Sequence, residues 1–283
     1  HKAALIGATG VSPSVIDGLE RAGAVERLEM PPPPVVLPPD PDAAIASLSP
    51  AQQQALDEIT ALDPHQFGVA LLDGVTGGGK TEVFFEAVAE TLRAGRQALI
   101  LLPEIALTNT FIARFTRRFG TRPAEWHSDM TPAQRAKVWR GVLDGSVRAV
   151  VGARSALFLP FCELGMLVLD EEHDGAYKQS DGVNYHARDM AVVRAHLSNA
   201  RVILSSATPS VETRNNANAG RYAHVLLTSR FAEAAMPNVT AIDMRMDGPE
   251  KGQWIAPLLA REVFAALDRG EQALLFLNRR GYA

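Results

Sequence analysis

An α/β fold built on a parallel sheet is predicted for this chain, and three observations predict it. Gly74-Val75-Thr76-Gly77-Gly78-Gly79-Lys80-Thr81 fits the phosphate-loop pattern G-x-x-x-x-G-K-[ST] without a mismatch. Leu164 to Leu169 is a near-continuous apolar run that ends in Asp170-Glu171-Glu172-His173, as expected of a central parallel strand buried on both faces. Strand-like and helix-like segments then alternate along most of the chain.

Each element follows from its residues. Ser12-Pro13 opens a short helix with Val15, Ile16 and Leu19 as its apolar stripe, and Val25 to Met30 is strand-like. The prolines from Pro31 to Pro41 force an extended, semi-rigid linker; a proline-rich ligand for another domain is the other reading. Ser49-Pro50 caps the next helix. Val69 to Leu72 is a strand entering the glycine loop, and Thr81 to Leu92 is the helix leaving it, with Val83, Phe84, Ala87, Val88 and Leu92 on one face. Gln97 to Leu102 is a strand and Ile105 to Phe119 a helix. Strands at Ala124 to Trp126 and Val147 to Val151 flank a helix capped at Thr131-Pro132. A helix from Met190 to Leu197 and a strand from Arg201 to Leu204 follow. Beyond Leu226 come a strand at Val239 to Ile242, a helix at Pro257 to Leu267 and a strand at Gln272 to Leu277.

Composition sets bounds. With 283 residues, 47% of them hydrophobic, the chain can bury a full core and suggests about two domains. No apolar run approaches the ~20 residues of a membrane span, and no signal peptide is visible. The one cysteine, Cys162, rules out a disulfide framework and suits a reducing compartment. A net charge of −4 carries no general nucleic-acid signal, so any such contact must come from local basic patches.

The chemistry gathers at strand ends. Gly74, Val75, Thr76, Gly77, Gly78 and Gly79 allow a tight turn whose backbone N–H groups face a polyphosphate at a helix N-terminus. Lys80 reaches the β- and γ-phosphates, and the Thr81 hydroxyl, with Asp170, holds Mg²⁺. Glu171 is placed to orient and deprotonate an attacking water, which argues for hydrolysis rather than transfer to a second substrate. Ser205-Ser206-Ala207-Thr208-Pro209-Ser210 has two readings. It is a good helix start with a Ser or Thr cap, or a hydroxyl-rich segment that bonds the acidic motif and senses the γ-phosphate. Arg114, Arg117, Arg118 and Arg122 read as a solvated helix face ahead of a DNA site.

Taken in order, these motifs resemble those of superfamily two helicases, and the longer strings narrow the resemblance to the PriA family of bacterial replication-restart helicases. They are Gly74 to Glu82, Leu102-Pro103-Glu104-Ile105-Ala106-Leu107-Thr108, Gly152-Ala153-Arg154-Ser155-Ala156-Leu157-Phe158 and Asp170 to Asp174. Tyr185-His186-Ala187-Arg188-Asp189 and Asn278-Arg279-Arg280-Gly281-Tyr282-Ala283 complete the set, so the match runs from about Leu48 to Ala283.

The resemblance implies a RecA-like P-loop NTPase lobe at residues 48–229, preceded by part of a winged-helix DNA-binding domain at 1–30 and a Pro-rich linker at 31–47. The start of a second RecA-like lobe follows at 230–283. It implies ATP and Mg²⁺ as cofactors. Gln52 matches the glutamine that reads the adenine edge in many such helicases; a solvated helix residue is the alternative. Loops that face nucleic acid in related helicases make Thr108, His127, Ser128, Arg154 and Ser155 candidate contacts to the phosphate backbone. The family's aromatic-rich loop, here from Asp174 to Arg188, adds Tyr185 and Arg188. Tyr185 either stacks on bases or packs against the following helix. Asn278, Arg279 and Arg280 fall near the cleft or are plain surface charges. The activity implied is 3′ to 5′ unwinding of DNA at stalled forks. A fork-binding scaffold that loads replication proteins without helicase activity is the alternative, and intact Lys80, Thr81, Asp170 and Glu171 favour the enzyme. Implied partners are forked and single-stranded DNA, primosome proteins, the replicative helicase loader and single-stranded DNA-binding protein, with the chain a monomer in the bacterial cytoplasm, at the nucleoid. The chain reads as a fragment: the family's ligands for two zinc ions follow N-R-R-G-Y-A and lie outside it, as does the arginine that completes the ATP site. The isolated segment is therefore expected to bind nucleotide better than it turns it over.

Overall fold

Six strands lie where the sequence pattern predicts them. In the computed structural model, which describes residues 2–26, 35–103, 109–227, 238–249 and 252–276, the strands are β1 (Gly68–Gly74), β2 (Gln97–Leu101), β3 (Ala124–Trp126), β4 (Ala149–Gly152) and β5 (Leu164–Asp170). The two-residue β6 (Lys178–Gln179) and β7 (Tyr185–His186), then β8 (Arg201–Ser206) and β9 (Ala223–Leu227), complete the set. Seven of them form one sheet in the order β3-β4-β2-β5-β8-β1-β9, with every pairing parallel. The remaining pair, β6 and β7, is an antiparallel hairpin.

The helices are α1 (Lys2–Thr9), α2 (Pro13–Arg21), α3 (Pro50–Thr60), α4 (Lys80–Arg93), α5 (Asn109–Phe119), α6 (Pro132–Leu143), α7 (Ala187–Ser198), α8 (Val211–Asn218) and α9 (Pro257–Asp268). Capping boxes start two of them where Ser or Thr precedes Pro: Ser49 with Gln52 at α3, and Thr131 with Gln134 at α6.

Alternation along each central strand divides the core into two layers. Ala70, Leu72, Ala98, Ile100, Met166 and Val168 pack under α3, α4 and α5. Leu71, Leu99, Leu101, Leu167 and Leu169 pack on the opposite face with α6 and α7. Parallel pairing brings the carboxyl ends into line, with Asp170 opposite Ser205 and Asp73 opposite Ser206. Sheets of this class bind ligands along that edge.

Several expectations are corrected. The described part of the proline-rich stretch is a strap laid on the lobe rather than a free spacer. Val35 and Val36 pack against the core, the Asp40 N–H donates to Phe119 O at 3.0 Å, and Asp42 pairs with Arg93 at 2.8 Å. In α2 only Ile16 is buried, while Val15 and Leu19 are exposed. The chain divides into two compact units, His1–Glu233 and Ala234–Ala283. In the second unit α9 forms as expected, but the described residues at 239–242 and 272–276 are not strands, and no strand partner for them exists among that unit's described residues. Thr108, Asn278, Arg279 and Arg280 lie outside the described residues.

Candidate nucleotide site and nucleic-acid face

The glycine loop is shaped by the residues beneath it. Gly79 caps α4 in the left-handed conformation, φ 81°, and a Cβ there would collide with Nε2 of Gln52. Gln52 is buried, which excludes the solvated alternative. Its Oε1 accepts from the Ser49 N–H at 2.8 Å, and its Nε2 donates to Gly78 O at 3.2 Å. The capping box of α3 thus fastens that helix to the loop. Lys80, itself buried, donates from Nζ to Gly74 O at 2.8 Å.

Asp170 and Glu171 close the other side. One cavity of about 520 Å³ is lined by Gln52, Thr76, Gly77, Gly78, Gly79, Lys80 and Thr81 together with Asp170 and Glu171. Burial raises the Asp170 carboxyl above its usual range, against the hydrogen bond from Ser205 Oγ at 2.8 Å and the charge of Lys80. Burial, and then the Asp170 charge, raises Glu171 as well. Glu171 also sits in the left-handed region at φ 49°, a strained conformation for a residue with a side chain, which turns the chain sharply at the strand end. A hydroxyl and a partly desolvated carboxylate on one cavity fit Mg²⁺, which takes few protein oxygens and fills its shell with water and phosphate.

The hydroxyl-rich segment at the end of β8 bonds the acidic motif through Ser205, Ser206 and Ser210. Ser205 reaches Asp170, and Ser206 Oγ lies 2.7 Å from His173 Nδ1. The fully buried Glu172 accepts from the Ser210 N–H at 2.7 Å, from Ser210 Oγ at 3.0 Å and from Thr213 Oγ1 at 3.0 Å. The segment both starts a helix, with Ser210 as the cap of α8, and bonds the acidic motif. Nothing local in the sequence separates Glu172 from a surface carboxylate; its burial does.

A second cavity, about 430 Å³, gathers Ser128, Arg154, Ser155 and Tyr185, with Arg135, Tyr177 and Gln179 beside them. Arg154 donates to Ala176 O at 3.1 Å and Lys178 O at 2.8 Å. Tyr185 is half-buried, edge-on to Phe158 with ring centroids 5.3 Å apart, and packs on the core as well as lining the cavity. Tyr177, in the same loop, is a core residue. Its hydroxyl contacts Leu101 O at 2.9 Å and Asp170 O at 2.7 Å, so it lines the second cavity while touching the strand end of the first. Arg135, missed in the sequence, donates to Ser128 O at 2.8 Å. Arg188 is not on this face. It is buried, bonded to Ser210 Oγ at 2.7 Å and Asp189 at 2.8 Å, and 3.5 Å from Glu172. The arginines of α5 are not a uniformly solvated face either, since Arg118 is buried on Glu86.

Sheet, glycine loop and acidic strand end together define a RecA-like P-loop lobe. The DEAD/DEAH box helicase family matches residues 49–217, and the chain belongs to that family. Its curated relatives include the Replication restart protein PriA of Rickettsia conorii, 48% identical over 213 residues, which are 75% of this chain and 33% of that protein. The Chlamydia muridarum protein of the same name is 36% identical over 98% of this chain and 38% of its own length. The chain thus spans about a third of the length of the relatives it matches. Among solved structures, RecG bound to a three-way DNA junction aligns with a TM-score of 0.48 at 21% identity, covering 65% of this chain and 24% of that one.

Proposed function

We propose that this chain is the ATP-binding lobe of a DNA helicase that acts in restart of stalled replication forks and moves 3′ to 5′. The observation that carries the reading is the meeting of Lys80, Thr81, Asp170 and Glu171 on one cavity. ATP lies with its phosphates on the glycine loop. Lys80 would turn from Gly74 O to the phosphates, and Thr81 and Asp170 would hold Mg²⁺, which would supply charge neutralisation for phosphoryl transfer. Glu171 takes the proton of the attacking water. Gln52 faces the adenine, using the second hydrogen and second lone pair that an amide retains after one bond at each end.

DNA lies on the second face, its backbone on Ser128, Arg154 and Ser155 and a base on Tyr185. Tyr177 supports this division of labour, because its hydroxyl ties the loop of the second cavity to the Asp170 carbonyl. Residues 1–30 belong to a winged-helix domain, 31–47 to the connecting strap, 48–229 to this lobe and 230–283 to the start of a second one. Fork DNA, primosome proteins, the helicase loader and single-stranded DNA-binding protein are the partners, in the bacterial cytoplasm.

The test is ATP hydrolysis by the full-length protein with no DNA, with single-stranded DNA and with a forked duplex. Stimulation that is largest on the fork is the expected outcome; a silent ATPase that still binds forks tightly replaces the enzyme with a loading scaffold. Tyr185→Ala is expected to lower stimulation by single-stranded DNA about fivefold, the worth of one stacked base, with the basal rate intact. An unchanged stimulation factor leaves Tyr185 as a packing residue only.

A further inference from the structure

We propose that Arg114 is the residue on which the base of the bound nucleotide packs, and that Glu82 holds it in place. The inference rests on the reading of the glycine loop as an ATP site. A triphosphate needs only the loop, Lys80, Thr81 and the acidic strand end. The same cavity is also lined by Ala46, Ser47, Gln52, Glu82 and Arg114, which the phosphate chemistry leaves free to face ribose and base.

Arg114 suits that position. Its Nη2 donates to Glu82 Oε1 at 2.6 Å, with the two side chains 38% and 40% exposed. One turn further along the same helix pair, Arg118 and Glu86 make the equivalent contact at 5% and 7% exposure. The inner rung fixes α5 against α4; the outer rung opens into the cavity. A pair as exposed as the outer one adds little stability, so packing alone does not account for it. A guanidinium bonded at its edge keeps planar faces on which an aromatic ring stacks, through both cation–π attraction and dispersion. Space is available, since Arg114 and Glu82 also line an adjoining cavity of about 190 Å³ with Ala44, Ala46 and Phe85.

The experiment compares ATP with inorganic tripolyphosphate, which has the same anionic chain and no base, as ligands of the full-length protein. Arg114→Ala is expected to weaken ATP binding about 10-fold, the range of one cation–π contact, and to leave tripolyphosphate within about twofold. Arg114→Gln, which keeps the aliphatic stem, serves if the alanine variant does not fold, and the same split is expected of it. Glu82→Gln is expected to shift the ratio in the same direction by a smaller factor. Equal weakening of both ligands makes Arg114 a phosphate contact and overturns the proposal, as does unchanged binding of both. A wild-type protein that binds tripolyphosphate but not ATP overturns the ATP reading itself, a result separate from any variant's behaviour.

Discussion

Lys80→Ala in the full-length protein is expected to weaken ATP binding by about 10- to 100-fold, the worth of a charge-assisted contact to phosphate. Glu171→Gln is expected to leave ATP binding within about threefold and to lower kcat by at least about 100-fold, the usual loss when a general base is removed. The contrast follows from where the two side chains stand. Lys80 is buried beneath the loop and bonds a loop carbonyl, so its ammonium is held within the glycine loop that is proposed to take the phosphates. Glu171 stands partly exposed at the acidic strand end, lines the shared cavity and feels the loop through the charge of Lys80. Equilibrium binding of a fluorescent ATP analogue separates the two variants, and single-turnover hydrolysis then isolates the chemical step. Equal loss of binding in both would remove the catalytic role given to Glu171.

The environment of Glu171 adds a pH signature to that result. Its carboxyl is held above the ordinary value of 4.5, by burial first and by the neighbouring Asp170 charge second. A base works only when deprotonated, so wild-type kcat falls as pH drops through that raised value rather than through 4.5. The strained φ of 49° at Glu171 lies at the same strand end, where strain of this kind clusters at functional sites.

The parts legible in the sequence are those fixed by local chemistry. The glycine loop, the apolar runs of β1, β5 and β8, and the Ser-Pro and Thr-Pro helix starts depend on neighbours along the chain, and they lie where the letters put them. The missed features depend on neighbours in space. Nothing local separates Arg114 from Arg118, four residues apart on one helix, yet one opens into a cavity and the other is sealed against α4. Tyr177 and Tyr185 share a loop, but only Tyr177 drops into the core, where two carbonyls satisfy its hydroxyl. Arg188 has the composition of a DNA contact and the surroundings of a structural tie, because Glu172 and Ser210 converge on it. The edge strand β9 escaped notice because its five residues include His224, whose ring is occupied by Asp73 at 2.9 Å. The residues that line the first cavity are thus readable from local motifs, whereas those that line the second depend on which side chains of one loop point outward.

Arg118→Met is expected to destabilise the lobe by about 3–5 kcal/mol, the cost of leaving a buried charge without its partner. Arg118 Nε and Nη2 grip Glu86 at 2.5 and 2.8 Å, and the guanidinium lies 4.8 Å from the centre of the Phe119 ring. Removing the arginine strands the Glu86 carboxylate between two packed helices. The double replacement Arg118→Met with Glu86→Leu is expected to recover most of the loss, because an apolar pair of similar volume has no desolvation to offset. It should not recover all of it. Glu86 Oε1 also accepts from the Ala46 N–H at 3.2 Å, and loss of that bond costs the strap about 1 kcal/mol. Urea unfolding of the wild type, both single variants and the double variant measures the coupling directly. Additive losses would mean that the pair is not a unit. A double variant that regains stability but binds ATP more weakly than wild type would tie the buried rung to the exposed one, since Arg114 stands one turn away on the helix that Arg118 holds in place.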